Sequence, residues 1–246
     1  MNTYLKIFAF IFFILIFYCD TTYSQVDNLL NKAKNLIGQN NHGSSDADIV
    51  NGLKEALTIG SGNAVDIVSK LDGYYSNPSI KILLPDEIKS VEKTARQFGL
   101  GKQVDEFELS MNRAAESAAK EATSLFWDAI KQMTFEDAKK ILAGKENEAT
   151  LYFKDKTSGK LHVAFKPIIN NSMESVGVTK SYQSLSTSIS KLPFVNVTST
   201  DLDEYVTNKA LDGLFMMLAE EEKKIRTDPA ARVTDLLKKV FGGSGG

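Results

Sequence analysis

Two long segments carry the clearest helical pattern of apolar and polar positions in this chain. In segment 201–226, apolar residues recur at three- and four-residue intervals, which predicts one long helix. Its middle, 214–219, is apolar on every side, as is typical of a helix that is buried all round. Segment 102–133 also reads as one helix, and its apolar face is rich in alanine. Small side chains allow a neighbouring helix to approach closely, so we expect these two helices to be central.

Shorter helices are predicted between capping residues, glycines and prolines, and Thr134 with Asp137 is predicted to form a capping box. We place them at 26–37, 45–59, 64–71, 85–98, 134–143, 146–156, 178–192 and 228–241. Glycines predict a break at 60–63 and a turn at 158–159. The stretches 74–84 and 162–165 leave a minor β-element open. The fold class is therefore all-α, an irregular multi-helix bundle with two long central helices.

The N-terminal pattern predicts a cleaved secretory signal peptide at 1–24. Lys6 precedes an apolar run from Ile7 to Tyr18, and small residues stand three and one positions before a cut after Ser24. The run is shorter than the roughly 20 residues of a membrane-spanning helix. We therefore expect a periplasmic or secreted protein with no transmembrane span after cleavage. Lipidation at Cys19 is the less favoured alternative, because large aromatic residues precede it.

The remaining chain divides into three parts. We predict an N-terminal helix and polar linker at 25–45, a single helical domain at 46–242, and a flexible Gly/Ser tail at 243–246. Charge is nearly balanced, with 29 Lys and Arg against 31 Asp and Glu, so composition gives no sign of a nucleic-acid partner. Two histidines and one cysteine offer no metal-ligand pattern. We expect no metal, cofactor or motif-based catalytic site, and the oligomeric state stays open.

The best candidate chemistry is a set of charged side chains projected onto apolar helix faces. Glu108 falls inside the apolar face of segment 102–133, with Asn112 at its edge, and Glu221 falls inside that of segment 201–226. Glu220 and Glu222 are predicted to point outward. A buried carboxylate needs a partner, and the candidates are Arg113, Arg226, Arg232 and Lys131.

Three interpretations of these acids remain open. The first is a polar ligand-binding cluster of Glu108, Asn112, Arg113, Glu221, Arg226 and Arg232. The second is a salt-bridge network that fixes helix register. The third is that both acids reach solvent near helix ends.

Several blocks of sequence resemble a bacterial family called domain of unknown function 4197. They are FELSMNRAAE (107–116), DAIKQMTFEDAKKIL (128–142), ATLYF (149–153), LDEYVTNKALDGLFMMLAEEEKKIR (202–226) and DPAARVTDLLKKVFG (228–242). The resemblance covers about residues 48–242 and implies an exported helical protein of Gram-negative bacteria. It implies no known activity and assigns no catalytic residue.

Function is therefore limited to three hypotheses. The favoured ones are a non-enzymatic protein that binds an unknown ligand and an envelope-associated protein that acts through surface contacts on an envelope partner. The alternative is a hydrolase-like enzyme that uses Glu108 and Glu221 as acid and base, which requires different environments for the two carboxyls.

Overall fold

The structure, a computed structural model, describes residues 46–175 and 201–232, with positions 234, 235 and 238. The signal peptide, the predicted helices at 26–37 and 178–192, most of the last predicted helix and the Gly/Ser tail lie outside the described residues.

The described residues form helices joined by short connections. They are α1 (Asp46–Ser69), α2 (Asp86–Gln97), α3 (Gly101–Ala119), α4 (Ala122–Gln132), α5 (Phe135–Ala143), α6 (Glu148–Ser175), α7 (Leu202–Thr227) and a 3₁₀ turn at Pro229–Ala231. The all-α class is confirmed, and the described part of the chain contains no strand, including at 74–84 and 162–165. None of its helices is long and apolar enough to cross a membrane.

Helix α7 lies at the centre of the bundle, as segment 201–226 predicts. It packs against α6, α1 and α3, and Asp201 caps its start by accepting a hydrogen bond from the Glu204 amide. Leu214 and its neighbours are buried, but Met216 is 45 % exposed. The prediction that the middle of this helix, 214–219, is buried on every side is therefore wrong along one line of residues, which borders a groove described below.

Helix α1 runs without interruption through Gly60 and Gly62, so the predicted break at 60–63 is wrong. Tertiary packing explains the glycine at position 60. A Cβ atom there would lie 3.1 Å from Cδ1 of Ile225 on α7, and Ser61 beside it is buried. The glycine permits a close helix crossing, and the packing gained there outweighs its weak helix propensity.

The predicted helix at 102–133 is divided into α3 and α4 at Lys120 and Glu121. Both residues keep right-handed helical backbone angles, but the Glu121 amide donates to the Ala118 carbonyl, three residues back. A tightened turn of this kind marks a local change in the helix. The apolar face continues across it, since Ala118, Ala119 and Ala122 are buried.

Helix α6 passes through Gly159 and Pro167, so the predicted turn at 158–159 is wrong. Every fourth residue from the start of this helix is buried: Ala149, Phe153, Thr157, Leu161, Phe165, Ile169 and Met173. Such a row forms a packing ridge along a helix. Gly159 and Pro167 lie on the exposed side, where they do not interrupt this ridge. The capping box of Thr134 and Asp137 at the start of α5 is confirmed.

The connection between α1 and α2 lies partly inside the core. It turns at Asp72, which has a positive φ of 65°, and at Gly73, where a Cβ atom would lie 2.5 Å from the Ile67 carbonyl oxygen. Tyr74 is fully buried, and its hydroxyl donates to the Ala210 carbonyl of α7 at 2.7 Å. The segment 72–85 is therefore held against α7, and it borders the groove.

Candidate binding groove and the buried acids

The predicted site residues on α3 hold the segment 72–82 in place. Asn112 is fully buried, and its side chain bonds to both backbone groups of Ile82, accepting from the amide at 2.9 Å and donating to the carbonyl at 2.8 Å. The Asn112 side chain thus makes the two backbone hydrogen bonds that a neighbouring β-strand would otherwise make. Glu108 pairs with Lys81 at 2.5 Å, and this hydrogen bond raises the pKa of the Lys81 ammonium.

Arg113 also helps to hold this segment, and its buried partner is Glu116, an acid that was not predicted from the sequence. It bonds to Glu116 at 2.6 Å and to Asp72 at 2.7 Å. Glu116 is buried and also accepts from the backbone amides of Tyr74 and Tyr75. Its position, one turn after Asn112 on the same helix face, is the signal that could have revealed it.

Glu221 lies inward on α7 as predicted, with a different partner from those expected. It is 6 % exposed, accepts from Lys224 at 2.6 Å and from the Asn63 side chain at 3.2 Å. The candidate arginine Arg226 bonds to Glu222 instead, at 2.8 Å. The prediction that Glu222 points outward is wrong, because this side chain is 8 % exposed and faces α6.

Glu222 caps the start of α6 from across the bundle. Its two oxygens accept from the amides of Ala149 and Thr150 at 2.9 and 2.8 Å and from the Thr150 hydroxyl at 2.8 Å. The first amides of a helix have no partner within the helix, so this carboxylate satisfies two of them. Arg226 extends the link by donating to the Ile141 carbonyl near the end of α5. The signal available in the sequence was the run of three glutamates, which pattern alone could not orient.

Arg232 caps the C-terminal end of α7, close to Glu222 and Arg226 in the sequence. It donates to the carbonyls of Ile225 and Arg226, at 3.0 and 2.7 Å, where the last carbonyls of a helix lack partners. The predicted cluster therefore falls into two places. Glu108, Asn112 and Arg113 lie on α3, whereas Glu221, Arg226 and Arg232 lie at the end of α7. Glu108 and Glu221 have separate lysine partners, and neither acid lines the groove.

The groove itself is a feature that sequence reasoning missed. It has a volume of about 810 Å³ and lies between α7, the first turns of α6 and the segment 79–86. Helix α7 contributes Tyr205, Lys209, Asp212 and Met216. Their spacing of four, three and four residues places them on one face, which is the exposed line noted above.

Three large apolar side chains converge on this groove from its three sides. Leu83, Leu151 and Met216 are 50, 49 and 45 % exposed and line the same space. Single exposed apolar residues are ordinary, but several that share one concave surface indicate a binding surface. Tyr205 joins two sides of the groove, since its hydroxyl donates to the Leu83 carbonyl at 3.0 Å.

The charged residues of the groove differ from the buried acids in their partners. Lys81 is paired with Glu108, but Lys154 forms no ion pair or hydrogen bond with a described residue. Lys209 lies 5.9 Å from the centre of the Tyr205 ring, a cation–π distance, and has no acidic partner in the described part. Asp212 forms no ion pair with a lysine or arginine in these same residues. These groups are therefore available to a ligand.

The start of α6 also borders the groove but offers no anion site of its own. A helix N-terminus attracts anions through its unpaired amides. Here Glu222 occupies the amides of Ala149 and Thr150, and the Leu151 amide bonds to the Asn147 carbonyl. Any positive character of the groove therefore comes from its lysine side chains.

Other candidates within the described chain are weak. A second cavity, bordered by Glu222 and Arg226, holds about 20 Å³, which is the room of a single water molecule. No group of three or more His, Cys, Asp and Glu side chains in the described ranges is arranged to hold a metal ion.

Comparison with known proteins agrees with the resemblance found in the sequence. No curated protein and no solved structure matches this chain. Residues 43–242 match the family described as "Protein of unknown function (DUF4197)". The matched range includes all the described helices and the groove that they form. The chain belongs to the DUF4197 family of proteins of unknown function.

Proposed function

We propose that this protein is an exported, non-enzymatic binding protein whose binding surface is the groove between α6, α7 and the segment 79–86. The observation that carries the proposal is the convergence of Leu83, Leu151 and Met216, all about half exposed, on one concave space. Its volume of about 810 Å³ is within the range of small-molecule sites, roughly 300–1,000 Å³.

The contacts of the buried acids favour binding over catalysis. An acid–base pair requires two carboxyl groups in one site with different environments. Glu108 and Glu221 lie outside the groove, and each pairs with a lysine of its own. Glu116 and Glu222 bond to backbone amides, which is a structural use of a carboxylate. The hydrolase-like alternative therefore gains no support from the arrangement.

Export is proposed from the leader sequence. The apolar run before Ser24, with small residues preceding the cut, supports cleavage and a periplasmic or secreted location. An intact-mass measurement on protein from the periplasmic fraction tests this. A chain that begins at Gln25 is the expected result, whereas a lipid-modified chain beginning at Cys19, or an uncleaved chain, would contradict it.

Native mass spectrometry of the protein purified from its own periplasm tests the groove. We expect a retained small molecule in the unaltered protein and its loss in Leu151→Glu and Met216→Glu, which place a carboxylate against the apolar surface. Val163→Glu is the matched control, because Val163 lies on α6 and is 74 % exposed outside the groove lining. Circular dichroism shows whether each variant remains folded.

Two results would overturn the proposal. One is an unaltered protein whose mass shows no retained molecule in repeated gentle preparations. The other is a retained molecule that the two groove variants keep at the same level as Val163→Glu does.

A further inference from the structure

We infer that the ligand of the groove is a small amphiphile with an apolar body and a single anionic head group, an inference that rests on the proposed function. It follows from the position of two lysines, for which the described part of the chain offers no acidic partner, relative to the exposed apolar side chains. The apolar part lies against Leu83, Leu151 and Met216, and the head group lies at Lys154 and Lys209.

On both α6 and α7, a lysine lies on the same face as an exposed apolar residue of the groove. On α6, Lys154 follows Leu151 by three residues, so the two side chains are neighbours on one face. On α7, Lys209 and Met216 lie two turns apart on the groove face. A ligand that covers the apolar residues therefore has an ammonium group within reach at α6 and another at α7. A purely apolar ligand would leave both lysines without a partner.

The charge balance favours one negative charge over several. Three lysines and two aspartates line the groove: Lys81, Lys154, Lys209, Asp86 and Asp212. Lys81 already pairs with Glu108, and Asp86 also has a partner within the fold, which leaves two lysines against Asp212. Asp212 would repel a second negative charge, since it lies one turn after Lys209 on the same face of α7. A monocarboxylate or a phosphodiester head group, each with one negative charge, fits this balance, whereas a polyanion does not.

Lys209 is held ready for such a head group. Its ammonium lies near the Tyr205 ring, and the Tyr205 hydroxyl is fixed by the Leu83 carbonyl. Part of the freedom of the lysine side chain is thus already restricted before binding, which reduces the entropic cost of a contact.

Calorimetric titration of the exported protein with decanoate, 1-decanol and decyltrimethylammonium tests the inference at concentrations where each probe is monomeric. The three share one chain and differ only in the head group. We expect decanoate to bind about tenfold or more tightly than the other two, and its affinity to fall with added salt. Lys154→Met and Lys209→Met should each weaken decanoate binding by about threefold to tenfold, with little effect on decanol.

Lys160→Met is the matched control, because Lys160 is exposed on α6 and does not line the groove. Equal affinity for decanoate and decanol, unchanged in Lys154→Met and Lys209→Met, would overturn the anionic head group but leave the groove as a binding surface. Absence of binding by all three probes, beside a retained molecule in native mass spectrometry, would overturn the amphiphile and keep the proposed function. Tighter binding of the ammonium probe would overturn the assigned charge.

Discussion

The buried acids and the groove lysines are both charged side chains, but their surroundings differ. Glu116 and Glu222 are nearly inaccessible, and each bonds to two backbone amides and to an arginine. Lys154 and Lys209 stand in an open groove and have no acidic partner among the described residues. The two glutamates therefore make their hydrogen bonds within the fold, whereas the two lysines keep theirs available.

This difference indicates where a ligand could gain binding energy. A buried carboxylate with all its hydrogen bonds made would lose them if it turned to a ligand, and leaving such groups unpaired is costly. A lysine in a groove exchanges only water for a ligand. The inward position of a charge on a helix projection is therefore evidence for structure, whereas an unpaired charge beside exposed apolar side chains is evidence for function.

The largest expected effect comes from removing a buried acid. Glu222→Ala leaves the Ala149 and Thr150 amides without their partner and leaves Arg226 without its carboxylate. Breaking one side of a buried pair costs about 3–5 kcal/mol, so we expect a loss of that size in the free energy of unfolding. Urea denaturation followed by circular dichroism measures it.

Glu220→Ala is the control for this loss, because Glu220 is exposed and lies two residues before Glu222 on the same helix. Its expected effect is within about 0.5 kcal/mol. A similar stability for the two variants would show that the buried hydrogen bonds of Glu222 stabilise the fold no more than an exposed glutamate does.

Asn112→Ala tests a neutral side chain in the same structural role. The substitution removes the partners of both backbone groups of Ile82, which are buried. The cost is about 1–3 kcal/mol for each of the two unsatisfied groups, and because the segment can relax to relieve part of it, we expect a loss of about 2–4 kcal/mol in chemical denaturation. A loss below about 1 kcal/mol would show that water replaces the amide and that the segment 72–82 is held by other contacts.

The sequence predicts the helices better than it predicts the contacts between them. The periodicity of α7 and the cap of α5 are local properties, so both are confirmed. The breaks predicted at 60–63 and 158–159 are wrong, because in α1 the packing at Gly60 against Ile225, and in α6 a continuous buried ridge, outweigh the local preference of glycine.

The candidate site could be predicted only in part for a related reason. The inward positions of Glu108, Asn112 and Glu221 follow from helical periodicity, and the structure places all three inside. Their partners come from other elements and could not be read from one helix at a time. The groove depends on α6, α7 and the segment 79–86 together, so no single stretch of sequence carries its signal.

Gly213→Ala affects both sides of the comparison, because Gly213 borders the groove and packs against the core. A Cβ atom there would lie 2.6 Å from Cε1 of Tyr74 and 3.1 Å from Cβ of Ile80. The Tyr74 ring is fixed by its hydrogen bond to Ala210, so the segment must shift. We expect a loss of about 1–3 kcal/mol in thermal or chemical denaturation, together with weaker decanoate binding.

Gly62→Ala is the matched control on α1, where a Cβ atom meets nothing within 4 Å. Because alanine favours a helix interior, this variant should gain about 0.5–1 kcal/mol. A gain in Gly213→Ala as well would show that the segment beside α7 yields without cost, and that the shape of the groove does not depend on this glycine.

The smallest expected effect concerns an acid that links two helices at the surface. Glu204 on α7 bonds to Lys166 at 2.8 Å and to His162 at 2.9 Å on α6, and these hydrogen bonds, with that from Lys166 the larger, lower the pKa of Glu204 to about 2. A lowered pKa in the folded state means that the unfolded chain takes up the proton first. The stabilisation is therefore present above the usual glutamate pKa of about 4.3 and is lost as the pH falls towards 2.

Thermal melting of the unaltered protein and of Glu204→Gln, followed from pH 6 to pH 2, measures this contribution. The unaltered protein should melt slightly higher at pH 6, and the difference should shrink to nothing near pH 2. We expect it to be far smaller than the effect of Glu222→Ala, because solvent screens an exposed pair. Glu220→Gln controls for the loss of one negative charge near the same helix. If the difference in melting temperature between Glu204→Gln and the unaltered protein stays constant with pH, the negative charge of Glu204 does not stabilise the contact between α6 and α7.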